Sequence, residues 1–158
     1  MQTAKKMPDL TDVVIEDERW QLLGLETLAE RAAGAALGMV NVTGEVVVMG
    51  CSDARIAELN TEFRAKTVAT NVLSWPAEEL VAGDKPTQDE LGDIAIAYET
   101  CVREALGKHI SVQDHVTHLI IHGCLHLLGY DHIKDMDAEI MEGLEIKALA
   151  KLGLDDPY

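Results

Sequence analysis

Aromatic residues are scarce in this chain: one phenylalanine, two tryptophans and three tyrosines make up 4% of its 158 residues. An extended base-stacking surface, which needs several exposed rings, is thereby excluded. Basic residues are also few. Thirteen Lys and Arg stand against 28 Asp and Glu, a net charge of −15. Nonspecific nucleic-acid binding works by neutralising phosphates, so the chain is not a general DNA coater, although a small basic site inside an acidic shell stays open. The three cysteines, Cys51, Cys101 and Cys124, are an odd set without paired spacing. They read as buried thiols in a reducing compartment and not as a disulfide framework. No apolar run reaches the roughly 18 residues of a membrane span. The first ten residues carry two lysines but lack the apolar stretch of a secretory signal. A cytoplasmic protein with no membrane partner is expected.

What is present is a globular composition, 47% apolar and 26% charged, which excludes disordered and collagen-like chains. At about 100–200 residues per domain, residues 1–158 make a single domain. Asp12 to Glu16 reads as a first strand, and apolar residues at three- and four-residue spacing from Arg19 to about Leu37 predict one amphipathic helix stopped by Gly38. Glu45 to Met49 is a continuous apolar run, the pattern of a strand covered on both faces. Ser52 and Asp53 can cap a helix carrying Ile56, Leu59 and Phe63. Thr70 to Trp75 is a third strand closed by Pro76, residues 77–91 are a polar loop, and Gly92 to Ala97 is extended. A short helix from Tyr98 ends near Gly107. The capping box Ser111-x-x-Asp114 opens a helix from Val112 to Leu128, stopped by Gly129, and a last helix runs from Asp135 to about Leu152. This order predicts an α+β fold: one small mixed sheet of about four strands packed with helices.

Four of the six histidines, at 115, 118, 122 and 126, form one stripe along the predicted 112–128 helix. Residues four apart lie about 5–6 Å apart at Cβ, close enough for two imidazoles to grip one ion. His118 and His126, about 12 Å apart along the axis at about 1.5 Å per residue, are too distant to share one. At most two of the stripe are therefore ligands, and His122 and His126 are the natural pair. Gly129 can take the left-handed conformation that reverses the chain, bringing His132 back to them. The resulting His-x3-His-x2-Gly-x2-His pattern puts a zincin-like site at a helix C-terminus. Three neutral nitrogens leave a fourth position for water, as in catalytic zinc sites, and leave the ion's full charge available to acidify that water. His109, His115 and His118 read as structural, with His118 a candidate support or substrate contact.

The same spacing occurs in metzincin peptidases, which have glutamate after the first histidine and use it for proton transfer. Here that position is Gly123, so peptide hydrolysis by that route is not expected. Phosphodiester hydrolysis has different needs: a metal to polarise a phosphoryl oxygen and a fixed cation for the nonbridging oxygens. The compact basic cluster near mid-chain is Phe63-Arg64-Ala65-Lys66.

His122-Gly123-Cys124-Leu125-His126-Leu127-Leu128-Gly129-Tyr130-Asp131-His132 resembles the signature of the YbeY endoribonucleases, His-Gly-x2-His-Leu-x-Gly-Tyr-Asp-His, with every fixed position filled. Residues 59–66 and 70–76, and then Leu91-Gly92-Asp93-Ile94, are similar to two further blocks of that family in the same order. The resemblance covers roughly residues 45–146. It departs at Thr67 and Ala69, where the family more often has Asp and Pro, and at Trp75, where it usually has Phe. The resemblance implies a metal-dependent, single-strand-specific endoribonuclease of ribosomal RNA maturation, notably of the small subunit, and of ribosome quality control. It implies one zinc ion held by His122, His126 and His132, and an essential arginine, here Arg64.

On that footing Arg64 is assigned to phosphate binding and transition-state charge, with Lys66 beside it on the substrate. Asp131 is a candidate to orient an imidazole or to accept a proton from the metal water, with capping of the turn as the alternative. Ser74, Trp75 and Tyr130 are candidates to line an RNA channel. A protein at −15 is repelled by RNA at long range. It is therefore expected to reach single-stranded ribosomal RNA on the small subunit through basic assembly-factor proteins. Two other readings stay open from the residues: a different zinc hydrolase, and a non-enzymatic assembly factor in which zinc staples the turn. Imidazole ligands also suit Ni, Cu and Fe.

Overall fold

The computed structural model describes residues 10–64 and 70–158, the side chains of Phe63 and Arg64 excepted. The elements run β1 (Thr11–Ile15), α1 (Glu18–Leu23), α2 (Leu25–Met39), β2 (Glu45–Cys51), α3 (Asp53–Arg64), β3 (Val72–Pro76), β4 (Glu90–Ala97), α4 (Tyr98–Lys108), α5 (Val112–Leu127) and α6 (Asp135–Lys151). The strands form one mixed sheet in the order β1-β2-β4-β3, parallel except for the antiparallel β3–β4 pair. The expected α+β architecture, with four strands, is what the chain adopts.

Side-chain alternation divides the sheet into two faces. Ile94 and Ile96 of β4, with Val46 and Val48 of β2, join the main core beneath α2, α5 and α6. Ala95 and Ala97 point the other way, to a smaller cluster with Cys51, Ile56, Leu59 and Leu73 beneath α3. The expectation that β2 is covered on both faces needs correction. Val46 and Val48 are buried, but Val47 and Met49 are half-buried, because the small cluster beneath α3 leaves a cavity on their side, lined also by Val14 and Leu59.

The single helix expected from Arg19 to Leu37 is two. Gly24 takes a left-handed conformation (φ 85°), ends α1 and starts α2 in a new direction. The break turns Trp20 inward, fully buried, with its indole N–H donating to the Cys51 carbonyl at 2.8 Å. α4 runs through Gly107 and stops at His109, which adopts φ 58°. That places His109 in a capping role. Ser52 Oγ accepts from the Arg55 N–H as expected, but the Asp53 carboxylate serves a different helix: it accepts from the Thr100 N–H at 2.9 Å, while Glu99 accepts from the Asp53 N–H at 3.1 Å. This reciprocal cap ties the start of α3 to the start of α4.

α5 is the helix on which the site depends. It touches α2, α4, α6, β3 and β4, and the Ser111 hydroxyl caps it by accepting from the Asp114 N–H at 3.1 Å. Gly123 sits on its sheet-facing side, where a Cβ would come within 2.9 Å of Ile94 Cδ1. The missing side chain is what lets the helix lie close on β4.

The three cysteines are buried and unpaired, as read from their number. Burial pushes the Cys51 and Cys124 thiols up to about 12, so they are inert core groups. No helix among the described residues is long and apolar enough to cross a membrane.

Candidate metal centre

The chain leaves α5 through a Schellman turn. The Tyr130 N–H bonds to the Leu125 carbonyl at 3.1 Å and the Gly129 N–H to the His126 carbonyl at 3.0 Å. Gly129 has φ 94°, and a Cβ there would lie 2.3 Å from the Leu80 carbonyl oxygen. Conformation and space both demand glycine. The reversal brings His132 back over the last turns of α5, with its ring centroid 5.2 Å from those of both His122 and His126.

Among the described residues these three histidines are the one group able to hold a metal ion, each offering a ring nitrogen within 4.8 Å of the others. His122 Nε2 and His126 Nε2 are 2.9 Å apart. Two nitrogens on a tetrahedral zinc at about 2.0–2.1 Å are separated by about 3.3 Å, so the pair needs little movement to share an ion. The far nitrogens are both engaged. His126 Nδ1 donates to the Tyr130 carbonyl at 2.9 Å, and His122 Nδ1 donates to Glu145 Oε2 at 3.2 Å. These bonds turn each Nε2 lone pair inward, the way metal-binding imidazoles are held in place. Burial, and then the nearby His122 and His132 rings, depress the His126 pKa to about 4. The ring is neutral at pH 7, as a ligand must be. The donor set therefore fits a divalent cation.

Glu145 escaped the reading of the sequence. It is fully buried on α6 and also contacts His118 Nε2 at 2.5 Å and the Tyr158 hydroxyl at 2.9 Å. Burial alone would raise its pKa, but the hydrogen bonds from His118 and His122 outweigh this and hold it at about 2. One signal was available: with Met141, Ala148 and Leu149 it lies on the face that α6 buries, and a carboxylate at helical spacing among core residues needs a partner. His118 thus supports the centre through Glu145. His115 is buried apart from it, its Nε2 on Glu104 at 2.9 Å.

The other sequence candidates are distributed around this centre. Asp131 Oδ1 accepts from the backbone N–H groups of His132 (2.6 Å) and Ile133 (3.2 Å), which makes it a turn cap that also aims His132. Ser74 pairs with Ile94, the residue under Gly123, and so lies on the α5 face of the sheet. Trp75 lies on the opposite face, in a cavity of about 480 Å³ with Val14, Val47, Met49 and Leu59, away from the histidine rings. Tyr130 packs its side chain against the main core. Arg64 is the last residue of α3; its side chain, together with Lys66, Thr67 and Ala69, lies outside the described residues.

An α+β chain with three histidines around a helix C-terminus, and glycine where a metzincin has glutamate, has the ligand spacing of a zincin without its catalytic carboxylate. Residues 11–153 match the family described as Endoribonuclease YbeY. Curated relatives of that name are similar over nearly their whole length: 55% identical in Ruegeria sp. (strain TM1040), with 94% of this chain and 96% of the relative covered, and 52% in Paracoccus denitrificans, with 98% and 92% covered. The solution structure of TM1509 from Thermotoga maritima shares the fold, with a TM-score of 0.56 at 23% identity over 90% of this chain and 91% of that one. This chain belongs to the YbeY endoribonuclease family.

Proposed function

We propose that this protein is a metal-dependent endoribonuclease that cuts single-stranded RNA in ribosomal RNA maturation and ribosome quality control. The reading assigns one zinc ion per chain to His122, His126 and His132, and substrate charge to Arg64. The observation that carries it is three imidazoles whose ring nitrogens lie within 4.8 Å of one another, in a chain of this family.

A divalent cation bound there supplies Lewis acidity to a phosphoryl oxygen and lowers the pKa of water. The chain's own groups do the rest. The Tyr130 carbonyl and Glu145 hold the rings in register, and the Gly129 turn delivers His132. Arg64 takes the charge on the nonbridging oxygens, which suits a bidentate guanidinium. Lys66 and Ser74 guide the RNA strand. Asp131 commits Oδ1 to the turn, so we assign proton transfer to its other oxygen. Peptide hydrolysis by the metzincin route is disfavoured because Gly123 stands where that route needs a carboxylate to transfer the proton.

At −15 the protein gains little from long-range attraction to RNA. Basic assembly factors on the small subunit in the cytoplasm are assigned to bring it to its substrate. The test is a cleavage assay on unstructured RNA, duplex RNA and casein with wild type and Arg64→Glu from identical preparations. Cleavage of unstructured RNA alone, lost in the variant, is expected. Casein hydrolysis, or RNA cleavage indifferent to the variant, would contradict the reading.

A further inference from the structure

α6 buries Met141, Ala148 and Leu149, apolar residues that need no explanation, and among them Glu145 at 0% exposure. A buried carboxylate is costly unless it is paired and its lone pairs are filled. Among the described residues no lysine or arginine pairs with Glu145; its ion-pair partners are His118 and His122. Among the described residues its hydrogen bonds lead to the histidine stripe and to the C-terminal segment: His118 Nε2 at 2.5 Å and the Tyr158 hydroxyl at 2.9 Å on Oε1, and His122 Nδ1 at 3.2 Å on Oε2. In a chain already at −15, an anion placed in the core with imidazoles as its partners calls for positive charge close by. The far side of the His122 ring is where the cation of the proposed function would sit.

We propose that Glu145 is the positioning residue of the histidine centre: its carboxylate fixes the His122 ring and supplies the counter-charge that three neutral imidazoles lack, while the Tyr158 hydroxyl and His118 hold the carboxylate in place. The inference rests on the reading that His122, His126 and His132 bind a divalent cation. His126 is held by a neutral backbone carbonyl. Glu145 is the carboxylate hydrogen-bonded to a ligand ring, and such a bond makes that ring a stronger donor to metal. Tyr158 extends the arrangement: its ring stands edge-on to His118, with centroids 5.6 Å apart. Docking of the segment that follows α6 is thereby coupled to the geometry of the centre.

The test uses the full chain as wild type, Glu145→Gln and Tyr158→Phe. Each is stripped of metal, melted, and titrated with zinc against a chromophoric chelator. Glu145→Gln should bind zinc about 10–100-fold more weakly, the usual loss on removing such a partner, when titrated at a temperature where its metal-free form is still folded. Tyr158→Phe should lose about 2–10-fold, the worth of one hydrogen bond. A merely structural role predicts a lower melting temperature with zinc affinity intact, and overturns the proposal. So does unchanged affinity in Glu145→Gln. Should that variant fail to fold, Tyr158→Phe decides: wild-type zinc affinity there overturns the proposal. A wild-type chain that takes up no zinc overturns the metal reading itself, an outcome visible before any variant is compared.

Discussion

Gly123 and Ile94 meet face to face: a Cβ on the glycine would stand 2.9, 3.3 and 3.4 Å from three side-chain carbons of the isoleucine. The contact sets how closely α5 lies on β4, and so where the histidines on the outer side of α5 come to rest. Gly123→Ala gains helix propensity of about 1 kcal/mol but overpacks the contact at a cost of about 1–3 kcal/mol. A net loss is expected, with Gly123→Glu losing more and gaining no peptidase activity. Thermal melting and a casein assay check both parts.

Gly129→Ala should be worse than an ordinary loop substitution. The position has φ 94° and the added carbon would sit 2.3 Å from the Leu80 carbonyl oxygen. Loss of more than about 1 kcal/mol is expected for alanine forced into that backbone. Because the turn delivers His132, metal affinity should fall together with melting temperature. A variant that melts lower yet binds metal as wild type would show that the turn does not position the third ligand.

Much of this was legible in the sequence. The strands, the α5 stripe, the Gly129 reversal and the trio His122, His126 and His132 follow from periodicity and spacing, which are local properties. Features that depend on what lies across the fold were not. Gly24 divides a continuous helical pattern because Trp20 must reach the Cys51 carbonyl, 31 residues away. The partial exposure of Val47 and Met49 reflects the cavity that the small cluster beneath α3 leaves on their side. Glu145 is separated from His122 by 23 residues, and spacing within one helix carries no information about a ring on another. Which face of the sheet Trp75 occupies depends on the β3–β4 register, which spacing along one strand does not give.

The pH dependence of the metal-free protein has a definite sign. His126 titrates near 4 in the folded chain against about 6.5 unfolded, so the unfolded state binds the extra proton first. Stability is therefore full above about pH 6.5 and falls as pH drops toward 4. Glu145, held at about 2 from an ordinary 4.5, contributes stability present above pH 4.5 and lost as pH falls toward 2. Melting temperature against pH should decline through both windows. His126→Gln should flatten the upper one, and an unchanged slope there would show that His126 is not the group responsible.

Zinc should stabilise the folded chain by mass action, about 2.7 kcal/mol at a hundredfold excess over Kd. For a chain of this size that raises the melting temperature by roughly 5–10 °C, at about 2–4 °C per kcal/mol. Chelator should reverse the rise, and His132→Ala should reduce it sharply. An identical melting temperature with and without zinc would place the ion, if bound at all, outside the folded site.

The central claim, that three imidazoles hold a divalent cation used to cut RNA, is tested most directly by metal content. The measurement is elemental analysis of freshly purified wild type and His126→Ala, carried through the same preparation, alongside cleavage of unstructured RNA. The account predicts close to one equivalent of metal with cleavage in the wild type, and neither in the variant. A wild type that cleaves RNA without metal, or a variant that retains both metal and activity, would contradict it.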